Sequence, residues 1–182
     1  MNEFWTADLH LGHANIIKYC NRPFKNIDHM NDRLISEINM RCKEGDVLYH
    51  LGDFCFRGNE RGAKCSLTRA EEYQNRINPK IVHFIGNHDR NNFVKGSIIG
   101  CFMIVGPYQV WAQHIPPWEA RYKCAYLPGG VTAYLCGHVH EKWKVAEHGF
   151  YGKPVINVGC DVWGYRPIKK SELIETIRRA IE

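Results

Sequence analysis

Asp8-Leu9-His10, Gly52-Asp53, Gly86-Asn87-His88-Asp89, a separate His114 and Gly137-His138-Val139-His140 follow one another along the chain, each directly after a short apolar run. Carboxylates, imidazoles and a carboxamide hold divalent cations, and this mixture of nitrogen and oxygen donors suits Mn, Fe, Zn or Ni better than Ca or Mg, which prefer oxygen cages. A single D-x-H is common by chance, but an ordered series of such blocks is not. No cysteine pair stands near them, which argues against a structural zinc site. Two divalent ions held by only two carboxylates, Asp8 and Asp53, with neutral His and Asn donors would keep net positive charge and draw an anionic, oxygen-rich substrate. A pair of metals about 3.5–4 Å apart activates water and stabilises charge on a phosphoryl group, so the pattern predicts phosphoester hydrolysis.

The apolar runs at 4–5, 47–49, 81–85, 110–111 and 133–135 predict strands that deliver these residues to the rim of a sheet. On a strand, Asp8 and His10 would project the same way. A short helical turn over 15–20 is stopped by Arg22-Pro23-Phe24, and a longer helix follows. Asn26 or Asp28 can cap it, and Met30, Leu34 and Ile38 form one apolar stripe to about Cys42. A polar helix is expected over 67–77, and a second, more antiparallel sheet over 101–158, where strands alternate with Gly- and Pro-rich turns. Ser171 opens a last helix with Leu173, Ile174, Ile177 and Ile181 facing inward. The β-α-β cadence followed by a second sheet predicts an α/β sandwich of two facing sheets flanked by helices, in one domain over residues 1–182.

The chain has 182 residues, enough to bury a core without disulfide staples. Its eight cysteines are scattered and never form C-x-x-C, so reduced, buried thiols are expected. The net charge of +5 favours anionic partners but falls short of a nucleic-acid-binding signature. The first ten residues lack a basic-then-apolar leader and no run suits a membrane span, so no membrane partner and a cytoplasmic location are expected.

The five blocks, taken in order, resemble the signature of the calcineurin-like metallophosphoesterase superfamily: D-x-H, G-D, G-N-H-D or G-N-H-E, a separate His, then G-H-x-H. The opening run from Asp8 to Ile17 with Arg22-Pro23-Phe24 is more similar to small bacterial and viral members without a large cap domain. The resemblance implies a two-sheet αββα sandwich. It also implies that Asp8, His10 and His140 hold one divalent metal, that Asn87, His114 and His138 hold the other, and that Asp53 bridges them, with Mn the expected ion. His88 would then protonate the leaving alkoxide or stabilise the transferring phosphate. Arg57 matches the arginine that grips phosphate oxygens, and His13 either holds substrate or packs behind His10. His148, next to Gly149, is read as a solvated turn residue.

One departure matters. Many phosphoprotein phosphatases of this superfamily have an Asp immediately before that arginine, where it orients the catalytic histidine, and here the position is Phe56. Asp89 is the obvious substitute partner for His88. The departure weakens a protein-phosphatase reading and leaves phosphodiesterases, phosphomonoesterases and nucleases, acting on a nucleotide or a nucleic-acid end. The favoured expectation is a phosphodiesterase whose nucleophile is a hydroxide bridging the two metals. Trp163, Tyr165 and Arg166 are candidates to stack on or grip a nucleotide, or else pack in the core. A non-catalytic interaction module on the same fold would be expected to lack part of the ligand set. A helical HD phosphohydrolase, suggested by His88-Asp89, conflicts with the strand that precedes them.

Overall fold

Strand β1 (Glu3–Thr6) turns Phe4 to one side and Trp5 to the other, and β2 (Val47–His50) does the same with Leu48 and Tyr49, so this sheet buries both faces. The computed structural model describes residues 1–56, 69–89, 94–96, 98–119 and 130–182. Among them, β3 (Lys80–His83), β2, β1 and β8 (Ile168–Lys169) form the first sheet in that order; β8 alone runs antiparallel to its neighbour. Helix α1 (Ala14–Tyr19) stops just before Arg22-Pro23-Phe24. Helix α2 (Ile27–Arg41) begins at Asn26, whose side chain accepts the His29 N–H at 2.9 Å. Its Met30, Leu34 and Ile38 pack against Phe4 and Leu48, as the four-residue spacing predicts. Helix α3 (Arg69–Gln74) is shorter than the expected 67–77; residues 67 and 68 lie outside the described residues.

The strand expected over 81–85 ends at His83, and its neighbour across β2 is His50. Both imidazoles lie beside Phe54, and burial pushes both below the ordinary histidine range, His83 to about 4. They pack as neutral aromatic rings.

The second sheet runs β4 (Gly100–Val105), β5 (Tyr108–Gln113), β6 (Ala133–Cys136), β7 (Val155–Asn157). Only the β4–β5 hairpin is antiparallel; β5–β6 and β6–β7 are parallel, which corrects the expected antiparallel sheet. Turn residues such as Gly106-Pro107 mark where a chain bends, but not whether it returns beside its last strand or crosses over to start another in the same direction. Between the sheets, Trp5, Leu51 and Phe84 meet Val110, Leu135 and Ile156. Helix α4 (Lys170–Ile181) adds Leu173 and Ile177 to this core, and Glu172 accepts the Lys169 N–H at 2.9 Å at its start. Ile181, expected to face inward, is 46% exposed, because the stripe continues one turn beyond the core that covers Ile177. Among the described residues no helix is long and apolar enough to cross a membrane.

Ile177→Ala should cost about 2–5 kcal/mol in urea unfolding, whereas Ile181→Ala should cost less than ~1 kcal/mol. Equal losses would contradict this placement of α4.

Candidate metal centre

Parallel strands bring their C-terminal ends to one rim, and β1, β2 and β3 in one sheet and β5 and β6 in the other each lead into one of the motif blocks. The ligand residues themselves lie beyond the strands. β1 ends at Thr6, so Asp8 and His10 are not strand neighbours projecting alike. Asp8 (φ 58°), His10 (φ 50°), Asp53 (φ 58°), His138 (φ 71°) and His140 (φ 50°) are all left-handed. That conformation costs a non-glycine residue about 1–3 kcal/mol and persists only where its surroundings enforce it.

Here the loops enforce one another. Asp8, His10 and Leu11 donate their N–H groups to the carbonyls of Gly52, Asp53 and Phe54, each at 3.0 Å. Asp89 is fully buried; its carboxylate accepts the N–H groups of Gly86 (2.8 Å), Asp53 (2.8 Å) and Phe54 (2.9 Å), tying the loop after β3 to the loop after β2. Sequence reasoning assigned Asp89 to the imidazole of His88; what it holds here is backbone. A Cβ on Gly86 would land on the carboxylate and backbone nitrogen of Asp53, so only glycine lets these loops approach so closely.

The seven expected metal ligands meet in one place. Donor atoms of Asp8, His10 and His140 lie within 4.8 Å of one another, as do those of Asp8, Asp53 and His114. Asp8 is common to both groups, and Asp53 Oδ2 lies 3.5 Å from His10 Nε2 and 3.4 Å from His114 Nε2. Asn87 Oδ1 is 3.1 Å from His114 Nε2 and 3.0 Å from His138 Nδ1. Asp8, His10, Asp53 and His114 are buried, while Asn87, His138 and His140 are half-buried and line the open side.

His88 is also half-buried, with its ring centroid 5.6 Å from that of His10 and its N–H on Asp53 Oδ1 at 3.0 Å. His13 stacks on Phe56 at 4.2 Å and lies 5.6 Å from the His10 ring. Arg57 lies outside the described residues. Trp163 is in the core, Tyr165 packs on Phe24, and Arg166 pairs with Glu172. His148 is exposed in a turn, as expected.

No protein-family model matches the chain. An uncharacterized protein of Methanocaldococcus jannaschii is 32% identical over 175 residues, covering 95% of this chain and 89% of the other. A protein of unknown function from Aquifex aeolicus, AQ665, superposes with a TM-score of 0.69 at 21% identity over 96% of this chain and 98% of that one. The Pseudomonas putida nuclease MPE aligns with a TM-score of 0.48 at 22% identity, over 86% and 72% of the two chains. Vps29 of Chaetomium thermophilum aligns at 0.46 and 12%, over 87% and 73%. The chain shares its fold with the Aquifex aeolicus protein. It belongs to the same family as the archaeal protein.

The donors fit divalent metal. Both ring nitrogens of buried His10 lack a hydrogen-bond partner, as do those of core His50, but His10 Nε2 also faces Asp53 Oδ2 at 3.5 Å and clusters with donor atoms of Asp8 and His140. Burial pushes Asp8 up to about 6 against the pull of His114 and His140. Burial also opposes ionisation of Asp53, but the hydrogen bond and charge of His114, with His10 and the His88 N–H, hold it below the usual carboxylate range. The carboxylates in turn raise His114 to about 9 despite its burial. The centre is a well for positive charge, and metal binding there would displace protons.

The orientation of the histidines is set from outside. His114 Nδ1 is 2.7 Å from the Leu51 carbonyl, which can only accept, so Nδ1 carries the hydrogen and Nε2 faces the centre. His138 turns Nδ1 inward and Nε2 toward Glu119 (3.3 Å), whereas His140 places Nδ1 3.3 Å from Asp161. Asp161 is held by Arg22, whose Nε and Nη2 each donate to it at 2.8 Å. The same guanidinium reaches the carbonyls of Leu9 (3.1 Å) and Asp8 (2.7 Å), locking the D-x-H loop from beneath.

Sequence reasoning missed Asp161 and used Arg22 as part of a helix stop and of the subfamily resemblance, not as a partner of the site. The available signal was the run Val155-Ile156-Asn157-Val158-Gly159-Cys160-Asp161, another acid just past an apolar strand. Cys20, His140 and Asp161 also cluster within 4.8 Å, but the Arg22 cation already occupies that carboxylate and disfavours a second cation there.

Asp161→Asn should keep the fold by circular dichroism while lowering Mn affinity about 10- to 100-fold, measured by isothermal titration calorimetry. Unchanged affinity would make Asp161 purely a partner of Arg22.

Proposed function

We propose that the chain is a metal-dependent phosphoester hydrolase that favours phosphodiesters. In this reading Asp8, His10 and His140 hold one divalent ion, Asn87, His114 and His138 hold the other, and Asp53 is shared. The observation that supports it most is the position of Asp53 Oδ2, 3.5 Å from His10 Nε2 and 3.4 Å from His114 Nε2. Manganese is the favoured ion, and iron, zinc or nickel suit the same mixed donors. When bound, such a pair supplies an activated water and Lewis acidity toward the phosphoryl oxygens.

The chain's own residues do the rest. His88, at the mouth beside His10, protonates the leaving oxygen. Its place is kept by the bond from its N–H to Asp53, and Asp89 acts as a positioning residue that clamps both loops. Arg57 is assigned to the phosphate oxygens. His13, stacked on Phe56, forms an aromatic wall where phosphoprotein phosphatases carry a carboxylate. The one described arginine beneath the site, Arg22, is buried and committed to Asp161. A dianionic monoester would gain from further cationic groups, so this wall favours the singly charged diester. The free thiols Cys20, Cys42, Cys55, Cys101, Cys136 and Cys160 accord with a reducing cytoplasmic setting.

With Mn added, kcat/KM should be higher for an aryl phosphodiester than for the matched monoester; a large monoester advantage would instead identify a phosphomonoesterase. Asp53→Asn should lose metal and turnover together, and retention of both would remove the shared-ligand assignment. His88→Ala should keep both metals and lose kcat by about 10²–10⁴-fold on esters with poor leaving groups, and much less on activated aryl esters. Equal losses on the two would contradict the proton-donor role.

A further inference from the structure

Two tryptophans are tied through neighbouring residues to histidines of the metal centre. Trp118 follows Pro116-Pro117 in a turn closed by the Glu119 N–H on the Pro116 carbonyl (3.1 Å), and Glu119 Oε2 reaches His138 Nε2 at 3.3 Å. Trp143 is three residues beyond His140, and the Asn157 amide donates to both carbonyls, at 2.8 Å to His140 and 2.9 Å to Trp143. The two indoles meet with centroids 5.7 Å apart and planes at 43°. Trp118 is 42% exposed, in contrast to Trp163, which is 6% exposed and uses its Nε1 on the Asn157 carbonyl. Lys142, beside Trp143, is exposed.

An indole left this open beside a site built for an anionic ester is a stacking surface, since every nucleobase offers a π face and base stacking on aromatic side chains is tolerant of sequence. We infer that Trp118, backed by Trp143, binds a nucleobase carried by the phosphoester that the metal centre takes. The inference rests on the phosphoester-hydrolase reading for the phosphate end and names the substrate class of that site. The base lies against Trp118, the Glu119–His138 contact fixes the platform relative to one half of the centre, and Lys142 offers charge to neighbouring phosphate oxygens.

Isothermal titration calorimetry of the Mn-loaded protein with adenosine 5′-monophosphate and ribose 5-phosphate tests this. The wild type should bind the nucleotide roughly tenfold or more tighter than the sugar phosphate. Trp118→Ala should abolish that preference while binding ribose 5-phosphate like the wild type, and Trp118→Phe should retain most of it. No preference in the wild type, or a preference that survives in Trp118→Ala, would overturn the platform. The binding arm is independent of turnover: a preference lost in Trp118→Ala, in a protein that hydrolyses no aryl ester, would uphold the base site and overturn the hydrolase reading alone.

Discussion

Two buried carboxylates, Asp8 and Asp53, occupy the same small volume at the rim of a sandwich, and the architecture around them serves to make that placement tolerable. Unit charges of like sign about 4 Å apart repel by ~4 kcal/mol even at an effective dielectric constant of 20, and burial adds a desolvation cost. The compensation comes from both sides. His138 donates its N–H to both oxygens of Asp8, at 3.0 and 2.9 Å, and His88 donates to Asp53 at 3.0 Å. The imidazoles of His10, His114 and His140 close around the pair. A site that concentrates negative charge in this way, with imidazole nitrogens directed inward, is suited to divalent cations and costly without positive charge.

Such a cluster needs backbone geometry that regular structure does not provide. Strands would alternate Asp8, Leu9 and His10 across two faces at a spacing fixed by the pleat. The left-handed residues instead curl each ligand loop over the strand ends, and the loops hold one another in that shape through backbone bonds from 8–11 to 52–54. Asp89 is the clamp between the loops. Being buried and ionisable, it is supported by three N–H donors, although burial still pushes its carboxyl above the ordinary range.

Beneath this, the Arg22–Asp161 pair acts as a floor. A buried ion pair adds little to stability on its own, because desolvation offsets much of the attraction. Its value lies in direction: one guanidinium fixes the D-x-H loop through two carbonyls while its partner carboxylate fixes the ring of His140. Near these residues the chain also pairs rings, Phe56 against His13 and Trp118 against Trp143. The site thus joins a polar, charge-dense floor to an aromatic rim.

The sequence by itself marked the candidate donors. Asp8, His10, Asp53, Asn87, His114, His138 and His140 were legible as candidates because donor residue types recur after apolar runs and their order resembles a family signature. The α2 stripe of Met30, Leu34 and Ile38 and its Asn26 cap were legible because helix periodicity and capping are local. Whether β6 and β7 run parallel was not, since a turn reports a bend and the direction of return depends on crossovers that span many residues. Nor could spacing show that Asp89 would bond three backbone amides, that Asp161 would lie 3.3 Å from His140, or that Trp118 would stay open while Trp163 sank into the core. Those outcomes hinge on which residues, far apart in the chain, come to share a few ångströms, and only the packed sheets decide that.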